Sequence, residues 1–499
     1  MISPARRVHF GHYLAYGSND FLGAGAMSII GFWILFFYTT FCGLSATQAT
    51  IIFATARLLD AFFSPIIGYI SDRFHTTWLG KKFGRRRFFI LLAIPLVPSF
   101  ALMWVEGQSF WYYLITYCFF ELVYAMEIIP YETLAAEMSP NYQTKAKFAG
   151  ARIICGQIAN IAAMWLPGVI IAQLGGKESG ATFLYLGIIF SVFFVFVALA
   201  VFLFTWERPR EEIVSIAPRG DEAMRSPFHV ITDLFEELWA TLRIRAFRLH
   251  LGMYIGGYIS QDVLNSVLSY IIAFIFLGSV ATASSITTWM AIAQLVSVGL
   301  AIWLTLRIHA AASYRIALGF FSLGILGFAA LYFAGIADIR WFLVVAIVAG
   351  LGRGALNYIP WSVYNYMPDV DEIVTGRRRE GAFAGVMTFI RKLLQSAVVF
   401  AVGPILDASG LVRNVKIQPL QVVNTAVTIM LLGSLGLMIF GFLVSLRFKL
   451  NRDTHTVLMD EIERFKKQPG TEPTAANRAV VEDLTGWKYE ELWGKGKRA

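Results

Sequence analysis

Twelve stretches of about twenty apolar residues recur along this 499-residue chain, and each is long enough to cross a bilayer as a helix. They fall at 12–41, 46–71, 88–105, 109–135, 147–173 and 181–206, then at 249–277, 283–306, 314–335, 340–366, 381–407 and 420–447. In hydrocarbon every backbone polar group must be satisfied within the segment, so runs of this length spell helices rather than loops or open strands. Composition agrees. Charged residues make up 15% of the chain, well below the roughly 25% of a soluble domain. The expected fold class is an all-α integral membrane protein of twelve transmembrane helices in two pseudo-symmetric six-helix bundles.

Lysine and arginine placement sets the expected orientation. The connection after the second run carries Arg73, Lys81, Lys82, Arg85, Arg86 and Arg87, and the one after the tenth carries Arg377, Arg378 and Arg379. On the opposite side only Lys177, Arg340, Arg413 and Lys416 appear. Both termini are therefore expected in the cytoplasm, in a cell (inner) membrane. Arg6-Arg7 resembles a twin-arginine signal, but the apolar run after it is too long and lacks a cleavage site, so it reads as an anchor flank. The net charge of +9 follows this placement and is no sign of nucleic-acid binding.

The longest internal polar stretch, 207–246, divides the chain. The expected domains are a bundle over 1–206, a connector over 207–246 ending in an amphipathic piece from Val230 to Leu242, a bundle over 247–447 and a cytoplasmic tail over 448–499. The tail has an amphipathic start, Val457 to Phe465, and no assigned activity. A short internal repeat supports the division: Ile129-Pro130-Tyr131 before Met138 in the fourth run matches Ile359-Pro360-Trp361 before Met367 in the tenth.

Ionisable residues at bilayer depth cost roughly 2.5–3.5 kcal/mol on insertion scales, so they normally face a cavity or a partner. Those singled out are Asp20, Asp60, Glu121, Glu127, Arg152, Asp262, Arg391 and Lys392. Arg57 and Asp60, three apart, share a helix face and can pair. Glu121, Glu127 and Glu132 do not share one face, so at most two are expected to point inward.

Enzyme chemistry finds no foothold. There is no P-loop, no nucleophile elbow and no paired metal-ligand motif. Gly350, Gly352 and Gly354 sit inside an apolar run and read as close helix packing. Cys42, Cys118 and Cys155 read as small apolar residues. No cofactor and no metal are expected.

Four segments carry a resemblance. The first is Tyr16-Gly17 with Asp20, running to Phe32–Ser45. The second is Ala56-Arg57-Leu58-Leu59-Asp60-Ala61 with Pro65, Gly68 and Asp72-Arg73. The third is Ile129-Pro130-Tyr131 with Leu134 and Arg152. The fourth runs from Met367-Pro368-Asp369-Val370-Asp371-Glu372 through Thr375-Gly376-Arg377-Arg378-Arg379-Glu380-Gly381 to Arg391-Lys392. Together they resemble the glycoside–pentoside–hexuronide:cation symporter family of the major facilitator superfamily, over about 1–447.

The resemblance implies a substrate-binding set of Asp20, Arg152, Trp361 and Lys392, with Glu127 as a further contact. It implies an ion-coupling set of Asp60, Arg57, Ser64 and Lys392, and a gating loop with Asp72, Arg73 and Arg85. Carboxylates and a guanidinium suit vicinal hydroxyls through charge-assisted hydrogen bonds. Some positions depart from the family pattern. Phe63 and Ser64 stand where sodium-coupled relatives have Asn and a second Asp, Ile128 and Ala125 replace other polar positions, and Glu132 replaces a Trp. These departures favour a proton over sodium as the coupling ion. The expected partners are a small solute, preferably a glycoside, and membrane lipid; the oligomeric state stays open. Expected function is cation-coupled symport of a sugar, glycoside or uronide. The alternatives are a lysolipid or other amphipathic-solute carrier of the same branch, and a non-transporting sensor.

Overall fold

The structure is a computed structural model that describes residues 8–138, 142–174, 179–207, 229–277, 279–376, 380–467 and 473–494. Arg6-Arg7, Lys177, Arg377–Arg379 and most of the connector lie outside these residues. Among those described, the regular structure is helical. Eleven helices are long and apolar enough to cross a membrane. They are α1 (Phe10–Thr40), α2 (Ala46–Arg73), α4 (Phe110–Met138), α5 (Tyr142–Gln173), α6 (Gly180–Phe204), α7 (Arg245–Ile275), α8 (Val280–Ile308), α9 (Ala310–Phe333), α10 (Ile339–Tyr364), α11 (Glu380–Ala408) and α12 (Leu420–Arg447).

The remaining expected span, 88–105, is present but broken. Its two pieces, Arg87–Ala93 and Ser99–Leu102, form α3 on either side of a turn. Pro95 and Pro98 fall in that turn, where each lacks the N–H that a continuous helix would use. α3 nevertheless packs along α4 and α6.

Other boundaries follow local chemistry. Ser45 caps α2 by accepting from the Gln48 amide, and the Gln48 side chain returns the bond in a capping box. Asp338 caps α10 at the Arg340 amide. Two helices contain π-turns, Phe21–Ala26 in α1 and Ile429–Leu435 in α12. Such turns free backbone groups and often mark functional positions. Here the Gly23 carbonyl accepts from the Tyr124 hydroxyl at 3.2 Å.

By packing, the chain divides into two compact units. One comprises Met1–Ile231, Asn265–Ala291 and Gln395–Ala426; the other comprises Thr232–Leu264, Ile292–Leu394 and Val427–Ala499. In the first unit α1 packs on α5 and α6, and α2 on α4. Aromatic side chains fill the space behind α1: Trp33 and Phe37 are buried against Phe183 and Trp104. The same unit takes in the ends of α7, α8, α11 and α12. The Asp407 carboxylate accepts from the amides of Ala46 and Thr47 at 2.9 and 2.8 Å, serving the free N–H groups that open α2. Thr39 bonds Tyr270 at 2.8 Å, and Ser284 donates to the Met164 carbonyl at 2.5 Å.

In the second unit α9 lies along α10, with Gly352 set against the Phe321 backbone so closely that a Cβ would collide. The glycines of α10 thus serve close helix packing, as the sequence suggested. The amphipathic connector piece is the helix His229–Leu242. Two tail helices, Arg452–Lys467 and Ala475–Thr485, dock on the short helix Met367–Thr375 that follows α10.

Candidate solute and ion-coupling site

Gly17 lets α1 and α5 touch. A Cβ there would lie 2.7 Å from the Ala151 carbonyl carbon, and this contact sets Asp20 beside Arg152. Arg152 Nε donates to Asp20 Oδ1 at 3.1 Å, and its NH2 donates to Glu132 Oε1 at 2.7 Å. Space for the Asp20 carboxylate comes from Gly156, whose Cβ would stand 2.9 Å from Oδ2. The Arg152 and Glu132 side chains keep 31% and 44% exposure while Asp20 keeps 13%, so this triad is only partly covered by protein. Glu132, which the sequence analysis left out of the substrate-binding set, is the third member.

Glu127 is wholly buried and turned toward α1, where Asn19 Nδ2 donates to its Oε2 at 3.1 Å. Glu121 is also buried and turns toward α2, where Arg57 NH1 reaches it at 3.1 Å and Asp60 Oδ2 at 3.5 Å. Ser64 completes this second cluster by donating to Asp60 Oδ1 at 3.0 Å. Arg57 Nε and NH2 both donate to Gln395 at 3.3 Å. The three glutamates of α4 therefore address three different helices, consistent with their lack of a common face. The pairing of Arg57 with Asp60 is present, but sequence spacing did not reveal that Glu121 shares the guanidinium.

The gating-loop residues form a third group. Arg85 and Arg86 both reach Glu137 at the end of α4, at 2.6 and 2.7 Å, and Arg86 also pairs with Asp72 at 2.6 Å. Arg73 lies over the Tyr69 ring at 3.5 Å. Glu207 accepts from the amides of Arg85, Arg86 and Arg87 at 2.9, 2.7 and 2.6 Å. Gly84, at φ +94°, permits the turn that points these amides at one carboxylate. Glu137 and Glu207 went unnoticed in the sequence because they sit at helix ends, where an acidic residue is unremarkable.

The second unit has its own polar cluster on α7, α10 and α11. The Trp361 indole donates to Tyr258 at 3.0 Å, and Arg391 lies over the Tyr258 ring and 3.8 Å from Asp262. Gln261 donates to Asn357 at 3.0 Å and accepts from Arg353 at 3.2 Å. Lys392 is buried on α11. Arg353 met the criterion of charge within an apolar run but was masked by the glycines around it.

Residues 15–452 match the family described as MFS/sugar transport protein. A symporter of Synechocystis is 24% identical, aligned over 92% of this chain and 97% of its own length. The glucuronide carrier protein homolog of Escherichia coli is 22% identical, over 91% and 95%. The fold is similar to that of a solved nucleoside transporter, NupG, with a TM-score of 0.60 at 15% identity, covering 88% of this chain and 100% of that one. These chains are membrane transporters rather than enzymes, and their small-molecule solutes are in keeping with charged clusters held among apolar helices. The chain belongs to the MFS/sugar transport family and is a multi-pass secondary transporter of the major facilitator fold.

Proposed function

We propose that this protein carries out proton-coupled symport of a sugar, glycoside or uronide by alternating access. The observation that carries the reading is the Asp20–Arg152–Glu132 triad, a partly uncovered set of two carboxylates and one guanidinium among apolar helices. Such a set offers acceptors and a donor fork for vicinal hydroxyls, and Arg152 can turn toward a substrate carboxylate. Trp361 and Lys392 are assigned to solute handling by the second unit.

A proton is preferred to sodium because of what surrounds Asp60. The Arg57 guanidinium stands 3.5 Å from Asp60, so a metal cation placed on that carboxylate would meet a like charge at short range. Arg57, Asp60 and Ser64 are assigned to the ion-linked rearrangement. The transporter is placed in the cell membrane with both termini cytoplasmic.

Uptake of labelled glucuronides and glycosides into proteoliposomes, under an imposed proton gradient or a sodium gradient, tests the reading. Accumulation driven by protons and lost in Arg152→Gln supports it. Accumulation only under sodium overturns the choice of ion. No accumulation under either gradient overturns sugar symport and brings lysolipid carriage forward.

A further inference from the structure

Buried polar atoms without partners are rare in folded proteins, and each calls for a physical cause. Two of them belong to one hydrogen-bonded pair of side chains. Asn19 Nδ2 donates to Glu127 Oε2 at 3.1 Å, while Glu127 Oε1 and Asn19 Oδ1 are both buried without a hydrogen-bond partner. Both residues are wholly buried. A single proton resolves both vacancies: placed on Oε1, it gives the carboxyl a donor, and a small rotation aims that donor at Oδ1. The two side chains then form a cyclic acid–amide pair with two hydrogen bonds.

Charge leads to the same place. An ionised carboxylate is costly to bury without a cation beside it. The charges facing Glu127 are Asp20 on α1, Arg152 on α5 and Glu132 on its own helix. Arg152 is already engaged by both of those acids. The phenols of Tyr16 on α1 and of Tyr124 and Tyr131 on α4 add no positive charge. From α2, Arg57 serves Asp60 and Glu121, and Glu121 lies six residues and about 120° of helix rotation away from Glu127. α3 brings no ionisable side chain between Phe88 and Leu102. Asp60 has its guanidinium and its hydroxyl; Glu127 has one neutral amide.

We propose that Glu127, paired with Asn19, is the proton-binding site of this transporter. This deepens the assigned function, because it rests on the proton being the coupling ion. The location gives a route for coupling. Asn19 is the chain neighbour of Asp20, and the π-turn Phe21–Ala26 begins directly after them. Solute drawing Arg152 away from Asp20 shifts the same turn of α1 that holds the amide against Glu127. Loss of that amide exposes the carboxyl and releases its proton; rebinding of the proton restores the pair.

Infrared spectroscopy of the purified full chain in lipid reads the site without any solute. At neutral pH the carbonyl stretch of a protonated carboxyl is expected, removed by Glu127→Gln and retained in Asp60→Asn and Glu121→Gln. Asn19→Leu should keep the band and shift it, because both hydrogen bonds of the pair are lost; this variant keeps the test alive if Glu127→Gln fails to fold. A band that persists in Glu127→Gln, or that is absent from the unsubstituted protein at neutral pH, overturns the proposal. Labelled glucuronide then separates the two readings. Glu127→Gln should lose proton-driven accumulation of the label. If neither protein accumulates any label while the infrared band behaves as expected, the solute assignment fails and the proton site stands.

Discussion

Single residues set the sharpest expectations. Arg57 is buried between two buried carboxylates, so removing it leaves both without their cation. Arg57→Ala should cost about 3–5 kcal/mol of stability, the range for breaking a buried ion pair. Thermal unfolding in detergent checks this. Adding Asp60→Asn and Glu121→Gln to the same chain should recover much of the loss, because no bare charge then remains. Gly156 acts through space rather than charge. A methyl group there would press on Asp20 Oδ2 at 2.9 Å, so Gly156→Ala should weaken solute binding by tenfold or more, about 1.4 kcal/mol. Equilibrium binding of a transported glycoside checks it. Asp20, Asp60, Glu127 and Arg152 were legible in the sequence because ionisable groups stand out within apolar runs. Asn19, Tyr258 and Asn357 were not, since neutral polar residues are common in membrane helices and only the fold shows which neighbour they meet.

Among elements, eleven helices lie within a few residues of their apolar runs, since bilayer thickness sets their length. α3 broke where Pro95 and Pro98 made a turn, a cue present in the sequence but outweighed there by the apolar run. The tail was the least legible element. Its charged, amphipathic composition fits either a free extension or a docked one, and the choice depends on a partner surface that only the fold supplies. That surface is the helix Met367–Thr375. His455 Nε2 contacts Asp369 at 2.9 Å, Lys466 reaches Glu372 at 2.6 Å, and the amides of Trp493 and Gly494 donate to the carbonyls of Ile373 and Val374, each at 2.9 Å. Deleting the residues after Leu450 should therefore raise amide hydrogen exchange across 367–375 by tenfold or more, as read by mass spectrometry.

The docked tail also carries a pH signature. Glu461 is held below the ordinary carboxylate range: burial opposes this, but hydrogen bonds from Tyr489, Asn477 and Arg464 outweigh it. A carboxyl depressed in the folded state contributes its full stability above its ordinary value and loses it as pH falls through the folded value. The packing of the tail helices on each other should thus hold at neutral pH and loosen on acidification below the ordinary carboxylate range. Glu461→Gln should abolish that acid dependence, which exchange measured across a pH series can follow.

At the scale of the whole molecule, lysine and arginine placement predicts orientation. Single cysteines introduced at positions 340 and 413 should label from outside intact cells, and ones at positions 82 and 460 only after permeabilisation. Labelling of all four from outside would contradict the assigned topology. The docked tail has a consequence for how the protein is made. Residues 367–376 leave the ribosome, and their flanking helices enter the membrane, well before Trp493 exists to cover them. Until the segment from His455 to Gly494 is translated, an acidic helix carrying Asp369, Asp371 and Glu372 lacks the contacts that this segment makes with it. A chain cut short between Leu450 and Trp493 would keep the membrane helices described above and leave this one seam open.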